Sequence, residues 1–546
     1  MTRTSKPWQT PKVIFNPQAY QGMQRGINAL VDAVRPTLGP FSRLVINDDA
    51  IRQHKLEFLD SAALIARRIT QIENRDADMG AMYLRQLLWH LHETTGDGTA
   101  AAAVLFESVY NLGIRYLVAG GNAMRLRRYL DEGAGFILEQ FAGQTQQVSG
   151  PGELARLAET ICYDPPLSQA LGQAFDLIGP YGRLEIRPGR GRDIEQEYVQ
   201  GSYWDSGLSS PLLVTDARTQ RAELDNPAIL ISDLEVQEPQ DLIPILEATL
   251  SSGAESLLLI VKALSEKALS LLASPANRQR LPMTAVKTPG AEMTKLHNHL
   301  QDIAILTGGQ FLTQATGAKL DAVRIEHLGR ARHAWANDQY FGITTGSGDP
   351  ISIRQHTASL KAAYERAEKA SDQKDLLARL GNLLGGTAVL WIGDLNLTTL
   401  ELRKEKASRT ADALRGALRH GLLPGGGVAL LDCRPALQAR LHAAGDADER
   451  AAYHILLQAV EAPFRTLLHN AGFNPSEIFA QLPQSEPGYG FDVTRQRTVN
   501  MSQAGILDSA AVIRAATWGA IHSAALALTV DVLVHKANPL DSSHAP

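Results

Sequence analysis

The order of hydrophobic periodicities constrains this chain more than any single motif. Helical spacing governs Ala19–Val34, the run Met82, Leu84, Leu87, Leu88 and Leu91, then Ala100–Tyr110, Ala123–Phe141 and Glu153–Ile161. A strand is predicted at Leu44–Asp49. The middle changes character: Leu184–Ile186, Ala228–Ile231, Leu257–Val261 and Ile303–Leu306 are short apolar runs separated by helical patterns, which predicts a β/α region with a buried sheet. After Ala358 helical spacing returns through Leu360–Leu384, Leu400–His420, Ala451–Asn470 and Ala504–Val534. A helical–mixed–helical order is what a β/α domain inserted into a helical one produces. With 546 residues the expectation is an α+β multidomain chain of three or four domains.

Composition removes several function classes. Lys plus Arg number 53 against 58 Asp plus Glu, a formal charge of −5, so the basic footprint of a general nucleic-acid binder is missing. The two cysteines, Cys162 and Cys433, match no metal or redox spacing, and a reducing, cytoplasmic location is expected. The first residues lack the apolar stretch of a signal peptide, and no run reaches the roughly 18 apolar residues of a spanning helix. The polar tail Asn538–Pro546 is expected to be disordered.

No GxxxxGK[ST] loop, dinucleotide fingerprint, HExxH or GxSxG elbow occurs, and the i,i+2 spacing of His90/His92 and His297/His299 does not suit chelation from a helix. Three glycine-bearing turns remain. Gly96-Asp97-Gly98-Thr99 opens directly onto a helix, where backbone N–H groups and the helix dipole suit an anion and Asp97 is a hard oxygen ligand. On these residues alone a plain loop, with Asp97 in a turn and Thr99 as N-cap, is the readier reading. Thr37-Leu38-Gly39-Pro40 reads as a helix stop, and Gly425-Gly426-Gly427 as a close backbone approach or a flexible connector. Asp412, before the triple glycine, and Asp508, after Gly505-Ile506-Leu507, are carboxylates placed by context.

Taken in order, these segments resemble the group I chaperonins, the bacterial GroEL type. Asp78-Met79-Gly80-Ala81, Leu306-Thr307-Gly308-Gly309 and Glu461-Ala462-Pro463 join the resemblance, which runs from about residue 12 to residue 536. It implies an equatorial ATP-binding domain from 1–143 and 423–546, an intermediate hinge domain from 144–199 and 391–422, and an apical client-binding domain from 200–390. Gly201 and Gly385-Gly386 match hinge glycines.

The resemblance also assigns roles. Thr37, Leu38, Gly39 and Pro40 would line the nucleotide; Asp97 would hold Mg²⁺, with Gly98 and Thr99 on the phosphates. Gly426 and Asp508 would meet the adenosine, while Asp412 would position the attacking water and Asp60 would stand near the phosphates. Leu208, Leu212, Leu213, Ile243, Leu246 and Leu269 would present an apolar surface to unfolded polypeptide clients; the other reading of these leucines is core, and the i,i+3 spacing of Ile243 and Leu246 does not separate the two. The implied function is an ATP-dependent protein-folding chaperonin, assembled as a homo-oligomeric, by resemblance heptameric, ring.

The chain departs from that pattern. Leu59 and Phe41 stand where the family has lysines, and Ala100-Ala101 where it has threonines. Phe491-Asp492-Val493 replaces an Asn followed by small residues. Leu272-Ala273-Ser274-Pro275 makes the second apical helix smaller and more polar, which counts against the usual lid co-chaperonin. The alternative function is therefore a non-hydrolysing chaperonin-like scaffold or client-specific binding ring.

Overall fold

A computed structural model describes residues 12–535 except 50–54, 190, 217, 219, 291, 395 and 483–485. The tail Asn538–Pro546 lies outside them. Two compact units emerge: one from 1–176, 186–195 and 391–546, the other from 177–185 and 196–390. In chain order the main segment of the second unit, 196–390, lies between segments of the first, the order expected of an inserted domain.

The first unit is helical. Its longest elements are Arg75–Thr95, Thr99–Val118, Ala123–Gln144, Leu397–His420 and Ala510–Ala527. Asn74, Asn122 and Asn396 start three of these helices by accepting backbone N–H groups on their side-chain oxygens. Alanines let the helices approach closely around Leu84, Leu88, Phe106, Tyr110, Leu130 and Phe141, all fully buried. Each such leucine or phenylalanine contributes about 1.5–3 kcal/mol by leaving water.

Ala504–Val534 is not one helix. Leu507–Ser509 is a strand, the helix spans Ala510–Ala527, and Val532–His535 pairs antiparallel with Lys12–Phe15. The two ends of the described chain therefore meet. A second small sheet, Val45–Asp49 with Lys55–Leu59, sets Ile46 opposite Phe58, both exposed.

The second unit is built on an eight-stranded sheet. Met283–Lys287, Ser256–Val261 and Pro227–Ser232 run parallel in that spatial order, and Gly329–Ala336, Phe341–Gly346 and Ser202–Trp204 continue antiparallel. Every residue of Pro227–Ser232 and Ser256–Val261 is buried, as expected of strands covered on both faces. Ile303–Leu306, expected among the strand-like runs, belongs instead to the helix Met293–Thr307, whose buried Leu300, Ile303, Ala304 and Thr307 show helical spacing. Leu360–Leu384 divides into Pro350–Arg366 and Ala370–Leu384. Pro275 ends the Glu266–Ala273 helix and opens another, Pro275–Arg280, at a position where its missing N–H costs nothing.

Candidate functional site

The site is organised by the abrupt joint between two long helices. Arg75–Thr95 ends on Gly96 (φ +72°), whose N–H bonds to His92, and Thr99–Val118 begins from Gly98 (φ +81°). Both residues adopt left-handed backbone that a side chain would strain. Space forbids one as well: a Cβ on Gly96 would stand 2.4 Å from the carbonyl oxygen of Arg409, and one on Gly98 2.7 Å from Val512. Gly98, and not Thr99, is the cap; Thr99 is the first helical residue, buried with its backbone N–H at the unpaired helix start.

The other glycine segments arrive through pairing that local sequence does not reveal. Leu422–Pro424 pairs antiparallel with Leu507–Ser509, setting Leu423 opposite Asp508, and Gly425 N–H bonds to Ile506 at 3.0 Å. The turn at Thr37–Pro40 is held by Asn470, whose Nδ2 donates to the carbonyls of Arg35 and Leu38 at 2.9 Å each.

These segments surround one cavity of about 740 Å³, a size suited to a small-molecule ligand. Thr37, Leu38, Gly39, Pro40, Asp60, Asp97, Gly98, Thr99, Gly426 and Asp508 all line it. Asp412 does not: it sits beside the Gly96 turn, its Cβ 3.0 Å from where a Gly96 Cβ would be, and pairs with Arg415 at 3.0 Å.

The carboxylate end of the cavity has a definite charge pattern. Asp60 Oδ2 accepts from Arg409 at 2.8 Å and lies 3.2 Å from Lys406, while its buried Oδ1 has no hydrogen-bond partner. Burial pushes the Asp97 carboxyl above its usual range; Arg409 and the Gly98 N–H pull it down, and Asp60 adds to the rise. Burial, with Asp97 next, pushes Asp508 up to about 7. Glu405 rises to about 6, chiefly through burial.

The hard oxygen donors of Asp60 and Asp97 suit Mg²⁺, and the orphaned Asp60 oxygen is a place for a cation or its water. Among the described residues no group of three His, Cys, Asp or Glu side chains stands together as a metal cage. Mg²⁺ commonly takes one or two carboxylates and completes its coordination with phosphate and water, so a cation here would need only Asp97 and Asp60 from the chain.

Among the lining residues that sequence reasoning missed are Arg409, Arg156 and Tyr163. Tyr163 had a local signal only in retrospect: it caps Pro151–Cys162 with φ +50°, unusual for a residue with a side chain. Arg409 had none, because its partner Asp60 is 349 positions away. Leu59, noted as a lost lysine, is buried in the helical core and does not line the cavity.

In the second unit the six expected client residues separate. Leu212 is 65% exposed and Ile243 50%, whereas Leu246 and Leu269 are partly buried against the core. Leu208 (8%) and Leu213 (0%) are core residues, and their assignment to a client surface is corrected: Leu213 closes a turn whose side chain points inward, and Leu208 bridges to Val286 of the sheet.

Comparison with known proteins gives two findings. The family described as the TCP-1/cpn60 chaperonin family matches residues 30–538. The chaperonin gp146 from the bacteriophage EL 2 (Pseudomonas aeruginosa), solved in the presence of ATP-BeFx, superposes with a TM-score of 0.68 at 18% identity, covering 96% of this chain and 98% of the other. At that identity the likeness speaks for the fold.

Proposed function

The chain belongs to the TCP-1/cpn60 chaperonin family, and from that premise we propose that it is an ATP-dependent protein-folding chaperonin that binds non-native polypeptides in a homo-oligomeric ring. The observation that carries this reading is the convergence of five distant segments on one cavity, with the start of the Thr99–Val118 helix opening into it. A helix start supplies N–H groups and a positive dipole end to phosphate, and Asp97 beside it supplies a ligand for Mg²⁺. Mg²⁺ would neutralise charge on the phosphate oxygens. The chain's own groups would position the rest: Gly426 and the Thr37–Pro40 turn border the cavity as backbone walls, and Asp412, on the helix that crosses Gly96, would orient water.

We read the first unit as equatorial and intermediate parts together, and the second as the apical domain with hinges near Gly201 and Gly385-Gly386. Ring contacts find support in two exposed apolar cross-strand pairs, Ile46 with Phe58 and Val13 with Val534. Leu212 and Ile243 are the residues that offer apolar surface to a client. Among the described residues no helix is long and apolar enough to cross a membrane. A heptameric ring, a cytoplasmic location and a weakened lid contact are parts of the same proposal.

The deciding experiment is Mg²⁺-dependent ATP hydrolysis beside Asp412→Ala. Turnover that vanishes in the variant supports the chaperonin ATPase. Nucleotide binding without turnover in either protein supports the scaffold, a reading favoured by the Ala100-Ala101 methyl groups in the cavity lining.

A further inference from the structure

The cations around the cavity are few and unequally placed. Among the described lining residues they are Arg156, Arg409 and Arg495; no lysine lines it. Arg495 is half exposed and bound to Asp492 at 3.2 Å. Arg156 packs beside Gly505, where an added Cβ would meet its Cδ at 2.5 Å. Of these three, Arg409 is the one paired with Asp60, and its backbone lies against the Gly96 turn.

Arg409 is only 9% exposed, and its guanidinium is incompletely used. One nitrogen, Nη2, donates to Asp60; Nε makes no hydrogen bond, Glu405 being 3.7 Å away. Burial works against its charge, but Glu405, Asp60 and Asp97 together raise its pKa above the usual arginine value, so it remains charged. A planar cation with donors to spare, beside a helix start and inside the same cavity, suits a phosphate better than a second carboxylate.

We infer that Arg409 meets the terminal phosphate of the bound nucleotide, sharing its donors between that phosphate and Asp60. The inference rests on the nucleotide reading of the cavity and names the residue that reads phosphate-chain length there. Lys406, 3.2 Å from Asp60, keeps that carboxylate partnered while Arg409 is shared.

The test is calorimetric titration of the full-length protein and Arg409→Gln with Mg²⁺ plus either a non-hydrolysable ATP analogue or ADP. Affinity for the analogue should fall about tenfold to a hundredfold, the loss of one charge-assisted contact, while that for ADP changes by less than about threefold. Arg409→Lys, which keeps charge without the fork, should recover part of the difference. It also carries the test if the glutamine variant does not fold. Adding Asp60→Asn to Arg409→Gln should not restore analogue binding.

Equal losses for both nucleotides, no loss, or recovery in the double variant would overturn the inference and leave Arg409 as the neutraliser of Asp60. Failure of the unsubstituted protein to bind either nucleotide would instead strike the nucleotide reading itself.

Discussion

The backbone of Arg409 fills the space that a side chain on Gly96 would need: a Cβ there would lie 2.4 Å from its carbonyl oxygen and 3.0 Å from its Cα. The joint between two helices and a helix from the far end of the chain are thus fitted to each other at backbone contact. Gly96→Ala should cost about 1–2 kcal/mol for the left-handed backbone, with the clash added. Nucleotide affinity and melting temperature should fall together, as thermal scans with and without Mg·ATP would show. An unchanged response to nucleotide would mean that this contact is not needed by the site.

Asp412 makes a different prediction, because it lies beside the cavity and not in its lining. Asp412→Ala should lower kcat by about a hundredfold or more, in the range of a lost general base or water-positioning group, with ATP affinity within about threefold. Steady-state hydrolysis and equilibrium binding, measured separately, check the two halves.

On the second unit, exposure divides residues that the family resemblance had grouped. Leu213→Ala should destabilise by about 2–5 kcal/mol through the cavity it leaves. Leu212→Ser and Ile243→Ser should change stability by less than about 0.5 kcal/mol while weakening suppression of aggregation of a denatured test protein. Chemical denaturation and light scattering would expose a reversal of that pattern.

The exposed pair Ile46 and Phe58 predicts an assembly phenotype. Replacing both with Glu should shift the protein to lower mass in native mass spectrometry without lowering its melting temperature. An unaltered mass would remove this strand pair from the proposed ring contact.

Asp432 gives a pH signature away from the cavity. Burial raises it to about 6 from 3.8, although the Gly488 N–H donates to its Oδ2 at 2.8 Å. A carboxyl raised in the folded state favours folding while protonated, so that contribution is present below about pH 4 and lost as pH rises through about 6. Asp432→Asn, which keeps an acceptor for Gly488, should gain in melting temperature relative to the native protein between pH 5 and pH 7. Parallel profiles would count against the shift.

Much of the architecture was legible because periodicity reports burial: the helices near Ala123 and Leu400, and the strands at Ala228 and Leu257, follow it closely. Ile303–Leu306 was misread because four apolar residues suit a buried strand or a helix equally; only the wider spacing from Leu300 to Thr307 separates them. The strand at Leu507–Ser509 was lost in an Ala-rich run because its identity comes from Leu422–Pro424, not from its own residues. The glycine turns and carboxylates that line the cavity were singled out through the family resemblance, since each alone also reads as an ordinary turn or cap. Arg409 was not, since within its helix it is one polar position among many, and only the fold brings it to Asp60.

The pairing of Lys12–Phe15 with Val532–His535 has a consequence for how the molecule is made. On the ribosome the first strand waits for a partner that is synthesised more than five hundred residues later, and the cavity is without Gly426 and Asp508 until the C-terminal part of the chain has been made. The sheet of the second unit draws on residues 202–346 and is complete well before that point. Newly made chains should therefore carry a folded middle between unfinished ends, with the helices of Ala19–Phe141 exposing the apolar faces they later bury. A chaperonin built in this order is, for much of its own synthesis, the kind of unfinished polypeptide its family attends to.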